Sequence, residues 1–77
     1  MPIRELMSAH AWREARREQI SLDAVEEAYV FPDSVRASHP DLDREIRSLD
    51  VGDSVIEVVV DTIDGRVVTV WRKHLDR

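Results

Sequence analysis

The sequence predicts an α+β fold: an N-terminal helical hairpin packed on one face of an antiparallel sheet of three or four strands, in one 77-residue domain. Three observations predict it. Two segments near the N-terminus each open on a serine and run without glycine or proline. From Ser34 the apolar period shortens to that of a strand, and the last third holds two runs dense in β-branched residues around Asp64-Gly65. A chain of this length buries only about 60% of the surface it exposes unfolded, so its core is thin.

Ser8 is placed to cap the first helix, over about 9–18, because its hydroxyl can accept from a free backbone N–H of the first turn. At 100° per residue Ala11, Trp12, Ala15 and Gln19 fall on one side, and His10, Arg13, Glu14 and Arg17 on the other. The preceding "IRELM", residues 3–7, fits neither period: it either extends this helix back to Pro2 or forms a short leading strand. Ser21 repeats the capping signal for a second helix over about 22–30, with Asp23 at its positive end and Leu22, Val25, Ala28 and Tyr29 on one side. Phe31-Pro32-Asp33 ends it, since the residue before a proline is driven out of helical geometry. Gln19 and Ile20 alone separate the helices, which predicts a tight antiparallel hairpin.

Residues 34–39 and 42–49 read as strands around a His39-Pro40-Asp41 turn, polar enough to lie near an edge. Residues 54–61 and 66–72 are the strong strands. A two-residue loop between them sets Glu57 opposite Arg72, and a four-residue loop sets it opposite Val70. Both place Ile56, Val58 and Val60 on one face with Val67, Thr69 and Trp71, under the helices through Trp12, Val25 and Tyr29. The other face then carries Val55, Glu57, Val59 and Asp61 with Arg66, Val68, Val70 and Arg72. Its centre, Val59, Val68 and Val70, suits a partner.

The formal net charge of −5 argues against holding nucleic acid through the global field, although residues 1–22 sum to +1 and residues 66–77 to +3, flanking a middle of −9. The absence of cysteine removes disulfide scaffolds and thiolate metal sites and fits a reducing cytoplasm. The N-terminus has no apolar stretch of signal-peptide length, and apolar runs such as Val58 to Val60 are far too short for a bilayer, so no membrane role is expected. His10, His39 and His74 match no chelating spacing, Asp41, Asp43 and Glu45 lack the glycine of a calcium loop, and no glycine-rich phosphate loop is present. No metal or cofactor is expected.

Ser8, His10-Ala11, Ile20-Ser21, Val25, Pro32-Asp33 and the closing "IEVVVD…DGRVVTVW" together resemble the family of small bacterial proteins known as domain of unknown function 4258. That family is similar in fold to the RelE, ParE and BrnT toxins. The resemblance spans Ser8 to Trp71, and most of its residues are caps, turns and core. The family carries arginines four and eight residues after the histidine. Here those positions are Glu14 and Glu18, and the arginines stand at three, six and seven.

The resemblance implies a RelE-like toxin of a toxin–antitoxin pair, cytoplasmic, that cuts messenger RNA, on the ribosome or free, as the ribose 2′-hydroxyl attacks its phosphate. A cognate antitoxin or a second copy is the implied protein partner. Such chemistry needs a proton-transferring group and cations around the phosphoryl oxygens. His10 is the candidate catalytic residue, because a histidine can supply acid or base at neutral pH and this one lies near a helix N-terminus. Arg13 and Arg17 beside it, and Arg66, Arg72 and Lys73 near the C-terminus, are the candidate phosphate contacts. The alternatives remain open at this level. Arg13, Arg16 and Arg17 can equally pair with Glu14 and Glu18, and Arg66 and Arg72 with Asp61 and Glu57 across the strands. A non-catalytic module of the same fold, pairing through Val59, Val68 and Val70, is the competing function.

Overall fold

In the computed structural model, residues 2–38 and 43–75 are described. The expected His39-Pro40-Asp41 turn and the beginning of the strand at Leu42 lie outside them. Three helices precede a four-stranded sheet: α1 (Ile3–Leu6), α2 (Ala9–Arg17), α3 (Leu22–Val30), β1 (Ser34–Ala37), β2 (Arg44–Asp50), β3 (Ser54–Asp61) and β4 (Val67–His74). Both capping serines act as their positions require. Ser8 Oγ accepts from the Ala11 N–H at 3.0 Å and Ser21 Oγ from the Ala24 N–H at 3.1 Å. The turn between α2 and α3 closes on Gln19 with φ of 56°, a left-handed conformation that reverses the chain within two residues. Residues 3–7 neither extend α2 back to Pro2 nor form a strand. Ile3–Leu6 form one helical turn, and Met7 then makes a single parallel bridge to Val67 on the edge of β4.

The strands lie in sequence order, β1-β2-β3-β4, each antiparallel to the next. The helices share one face. Ala11 and Ala15 of α2 and Val25 and Ala28 of α3 join Leu49, Ile56, Val58, Val60, Val67 and Val70 in a single apolar cluster, with Trp12, Leu22 and Tyr29 packed on its margin. Small and β-branched side chains let helices and sheet approach closely. Each fully buried valine contributes roughly 1.5–3 kcal/mol by leaving water.

The facing of β4 departs from simple alternation. Val59 lies opposite Thr69 and Val60 opposite Val67, so Val68 is an extra residue without a partner on β3. Ser8 accounts for this bulge. Its N–H donates to the Val67 carbonyl and its hydroxyl to the Val68 carbonyl, both at 2.9 Å. Successive carbonyls of a regular strand point to opposite sides, so one residue can gather both only where the strand is bulged. Beyond Val68 every side chain changes face relative to unbroken alternation. Val70 therefore packs beneath the helices, 1% exposed, and Arg72 lies on the same side. Thr69, Trp71 and Lys73 move to the uncovered face, opposite Val59, Glu57 and Val55.

Tyr29 ties helix to sheet at the far end of the β3–β4 turn. Its hydroxyl donates to the Gly65 carbonyl at 2.8 Å, and the guanidinium of Arg47 lies 4.7 Å from its ring centre while donating to the Tyr29 carbonyl at 2.6 Å.

Candidate functional site

The N-terminal end of α2 meets α1 and the start of β4. Because Ser8 is bonded to Val67 and Val68, the start of β4 is held against the N-cap of α2, with Arg66 one residue before the bonded pair. Ser8 Oγ caps Ala11, while the first two helical amides, Ala9 and His10, have no acceptor within the helix and lie at its positive end. Arg4, one turn upstream in α1, places its guanidinium carbon 5.0 Å from the centre of the Trp12 ring. Arg4, Met7, Ser8, Ala9 and Trp12 line a groove of about 220 Å³. His10, Arg13 and Arg66 are exposed. Arg4 is a site residue that the sequence reading missed. The signal for it was its spacing of eight residues from Trp12, hidden because "IRELM" fits no single period.

Of the other expected phosphate contacts, Arg17 is exposed on α2 and paired with Glu14. Arg72 is used inside the fold: its Nη2 donates to the Gln19 carbonyl at 3.1 Å, its Nε to the Glu18 carbonyl at 3.4 Å, and its Nη1 to Ser54 Oγ at 2.9 Å. These bonds satisfy carbonyls at the C-terminus of α2 with a cation, where the helix dipole favours one. The expectation that Arg72 lies on the open face is thus corrected, and the bulge at Val68 is the reason. Lys73 is exposed, but it stands on the uncovered face opposite Val55, not with the α2 group.

The uncovered face has its own polar centre, also missed. Ser48, Glu57 and Trp71 form one row across β2, β3 and β4, and Arg36 reaches in from β1. Arg36 Nη1 and Ser48 Oγ each donate to Glu57 Oε2 at 2.7 Å, and Trp71 Nε1 donates to Glu57 Oε1 at 2.9 Å. Burial by itself pushes the Glu57 carboxyl up, but the hydrogen bonds from Arg36, Ser48 and Trp71 and the charge of Arg36 outweigh it and hold the group at about 2. A carboxylate so stabilised is a poor proton acceptor at neutral pH. Its role is to join the four strands. The expected placement of Trp71 under the helices is corrected by these bonds, and the expected partnership of Glu57 with Arg72 is replaced by one with Arg36. A charged residue in the middle of the strongest strand was the available signal, since a buried charge requires partners.

The proposed partner-binding trio is divided. Val59 is on the uncovered face but only 5% exposed, Val68 is the bulge residue, and Val70 belongs to the core under the helices. Among the described residues no group of His, Cys, Asp or Glu is arranged to hold a metal ion, and no helix is long and apolar enough to cross a membrane. Comparison of the chain with known protein families, curated proteins and solved structures gives no match.

Proposed function

We propose that this chain is a RelE-like toxin of a toxin–antitoxin pair that cuts RNA at the α2–β4 edge. The observation that carries the reading is the bond pair from Ser8 to Val67 and Val68, which ties the start of β4, with exposed Arg66 one residue upstream, to the start of α2, where the Ala9 and His10 amides have no helical acceptor. An RNA phosphate seated there meets backbone N–H groups, the helix dipole and the cations of Arg4, Arg13 and Arg66. The 2′-oxygen attacks phosphorus, the bond to the 5′-oxygen breaks, and a 2′,3′-cyclic phosphate and a 5′-hydroxyl result. His10 serves one of the two proton transfers, accepting from the 2′-hydroxyl or donating to the 5′-oxygen, and water serves the other. Trp12, half-buried, carries the Arg4 guanidinium over its ring and so holds that cation at the groove. Induced expression tests this: wild type arrests bacterial growth and His10→Ala, folded by circular dichroism, does not. Unchanged growth with wild type, together with intact RNA at low salt, defeats the reading.

A second reading, a non-catalytic pairing module, is favoured by the uncovered sheet face, where Ile46, Val55, Thr69 and Trp71 are half-buried around the fixed Glu57. In that case two copies pair face to face, wild type sediments as a dimer, and Val55→Arg sediments as a monomer. A wild type that is monomeric at millimolar concentration rules it out.

A further inference from the structure

Asp23, Glu26, Glu27 and Val30 fall at i, i+3, i+4 and i+7 and so form one stripe along the outer flank of α3. Phe31, the C-terminal cap, continues it. These five residues line a groove of about 310 Å³. Its floor is apolar and open to water, with Val30 52% and Phe31 75% exposed, and Val35 at the edge strand β1 is 52% exposed as well. Among the described residues the three carboxylates have no ion-pair partner. Like charges at this spacing repel one another, and while Asp23 meets the positive end of α3, nothing within the helix accounts for Glu26 and Glu27. An exposed aromatic side chain at the end of an unpaired acidic stripe is the pattern of a surface completed by another molecule.

We propose that this groove docks a cationic amphipathic segment of another protein, with Lys or Arg side chains on Asp23, Glu26 and Glu27 and a bulky apolar side chain against Val30 and Phe31. Charge selects the occupant, because an acidic or neutral segment would leave three carboxylates confronting an apolar contact. A second copy of this chain meets only half of the requirement. The outer flank of α2 offers His10, Arg13 and Arg17 at helical spacing, but it carries no apolar residue to cover Phe31. Such a contact would also be head-to-tail and would extend into rings or filaments rather than close as a pair. The groove shares no residue with the α2–β4 edge, so the inference does not rest on the ribonuclease reading.

The test uses the full chain and two labelled helical peptides of equal length, each with a Leu-Trp apolar stripe, one flanked by Lys and Arg and the other by Glu. Fluorescence anisotropy is expected to show binding of the cationic peptide that weakens as salt rises, with amide shifts confined to α3 and Phe31. Glu26→Lys with Glu27→Lys, and separately Phe31→Ser, are each expected to weaken it at least about tenfold. Ile63→Ser, exposed in the β3–β4 turn, leaves binding unchanged. All these positions are exposed, so circular dichroism should match wild type. Equal binding of the Glu peptide, shifts centred elsewhere, or no binding at millimolar peptide overturns the proposal. So does self-association that the double lysine variant abolishes, because the occupant is then a second copy. RNA cleavage is scored separately, so the two readings fail independently.

Discussion

Trp71 Nε1 donates to Glu57 Oε1 at 2.9 Å, joining directly opposite residues of β4 and β3 on the sheet face that no helix covers. The bond exists because the bulge at Val68 turns Trp71 outward, and it completes a carboxylate already held by Arg36 and Ser48. Glu57 is 4% exposed, so the network acts as an internal brace and not as a surface ion pair.

The first prediction concerns acid. Glu57 has a folded pKa of about 2, below its ordinary 4.5, so its contribution is present above pH 4.5 and is lost as pH falls toward 2. Allowing for solvent screening at half-exposed Arg36, the loss amounts to roughly 2–3 kcal/mol. Urea unfolding at successive pH values measures it. Glu57→Gln should be less stable at pH 7 and show a flatter dependence between pH 5 and 2; an unchanged slope would show that the network does not control acid stability.

Arg72 is expected to behave as a structural residue. Arg72→Ala leaves the Glu18 and Gln19 carbonyls without their cation and should cost about 1–2 kcal/mol. Thermal unfolding reads this directly, at about 4–8 °C for each kcal/mol in a domain of this size. RNA affinity should stay at the wild-type value once the variant is folded, and a large loss would return Arg72 to the binding surface.

Ser8 has two duties, capping α2 and holding β4. Ser8→Ala should therefore destabilise by more than an ordinary cap, about 2 kcal/mol or above, since it also leaves the Val68 carbonyl short of its donor. Hydrogen exchange should speed up at Ala11 together with the amides at the start of β4. Acceleration confined to α2 would mean that the bulge stands without Ser8.

The basic edge makes an electrostatic prediction. Arg4→Ala and Arg13→Ala should each weaken RNA binding and lower the slope of log affinity against log salt by about 0.7, the value for one phosphate contact to a single strand. Filter binding over a salt series checks it. Lys73→Ala, on the other face, should leave the slope unchanged.

Much of the fold was legible where local chemistry decides it. Ser8 and Ser21 mark both helix starts, Phe31-Pro32 marks an end, and the β-branched runs mark β3 and β4 to within two residues. The facing of β4 was not legible, because "VVTVW" is apolar at both parities and a bulge leaves no mark in such a run. That one residue exchanged Trp71 with Arg72 and Val70 with Thr69 between the faces. The candidate site was legible in part. His10 and Arg13 follow from helical spacing alone, whereas the bond of Ser8 to Val67, the neighbour of Arg66, is tertiary and has no local signal. Arg4 comes from a four-residue helix too short to show a period.

RNA cut at the α2–β4 edge in the proposed way would leave a distinct product. Mapping new RNA ends in bacteria after induced expression, with ligation specific for 5′-hydroxyl termini, tests it most directly. The account predicts 5′-hydroxyl ends facing 2′,3′-cyclic phosphates with wild type, and their disappearance with a folded His10→Ala. Absence of such ends with wild type, or equal abundance with His10→Ala, would contradict it.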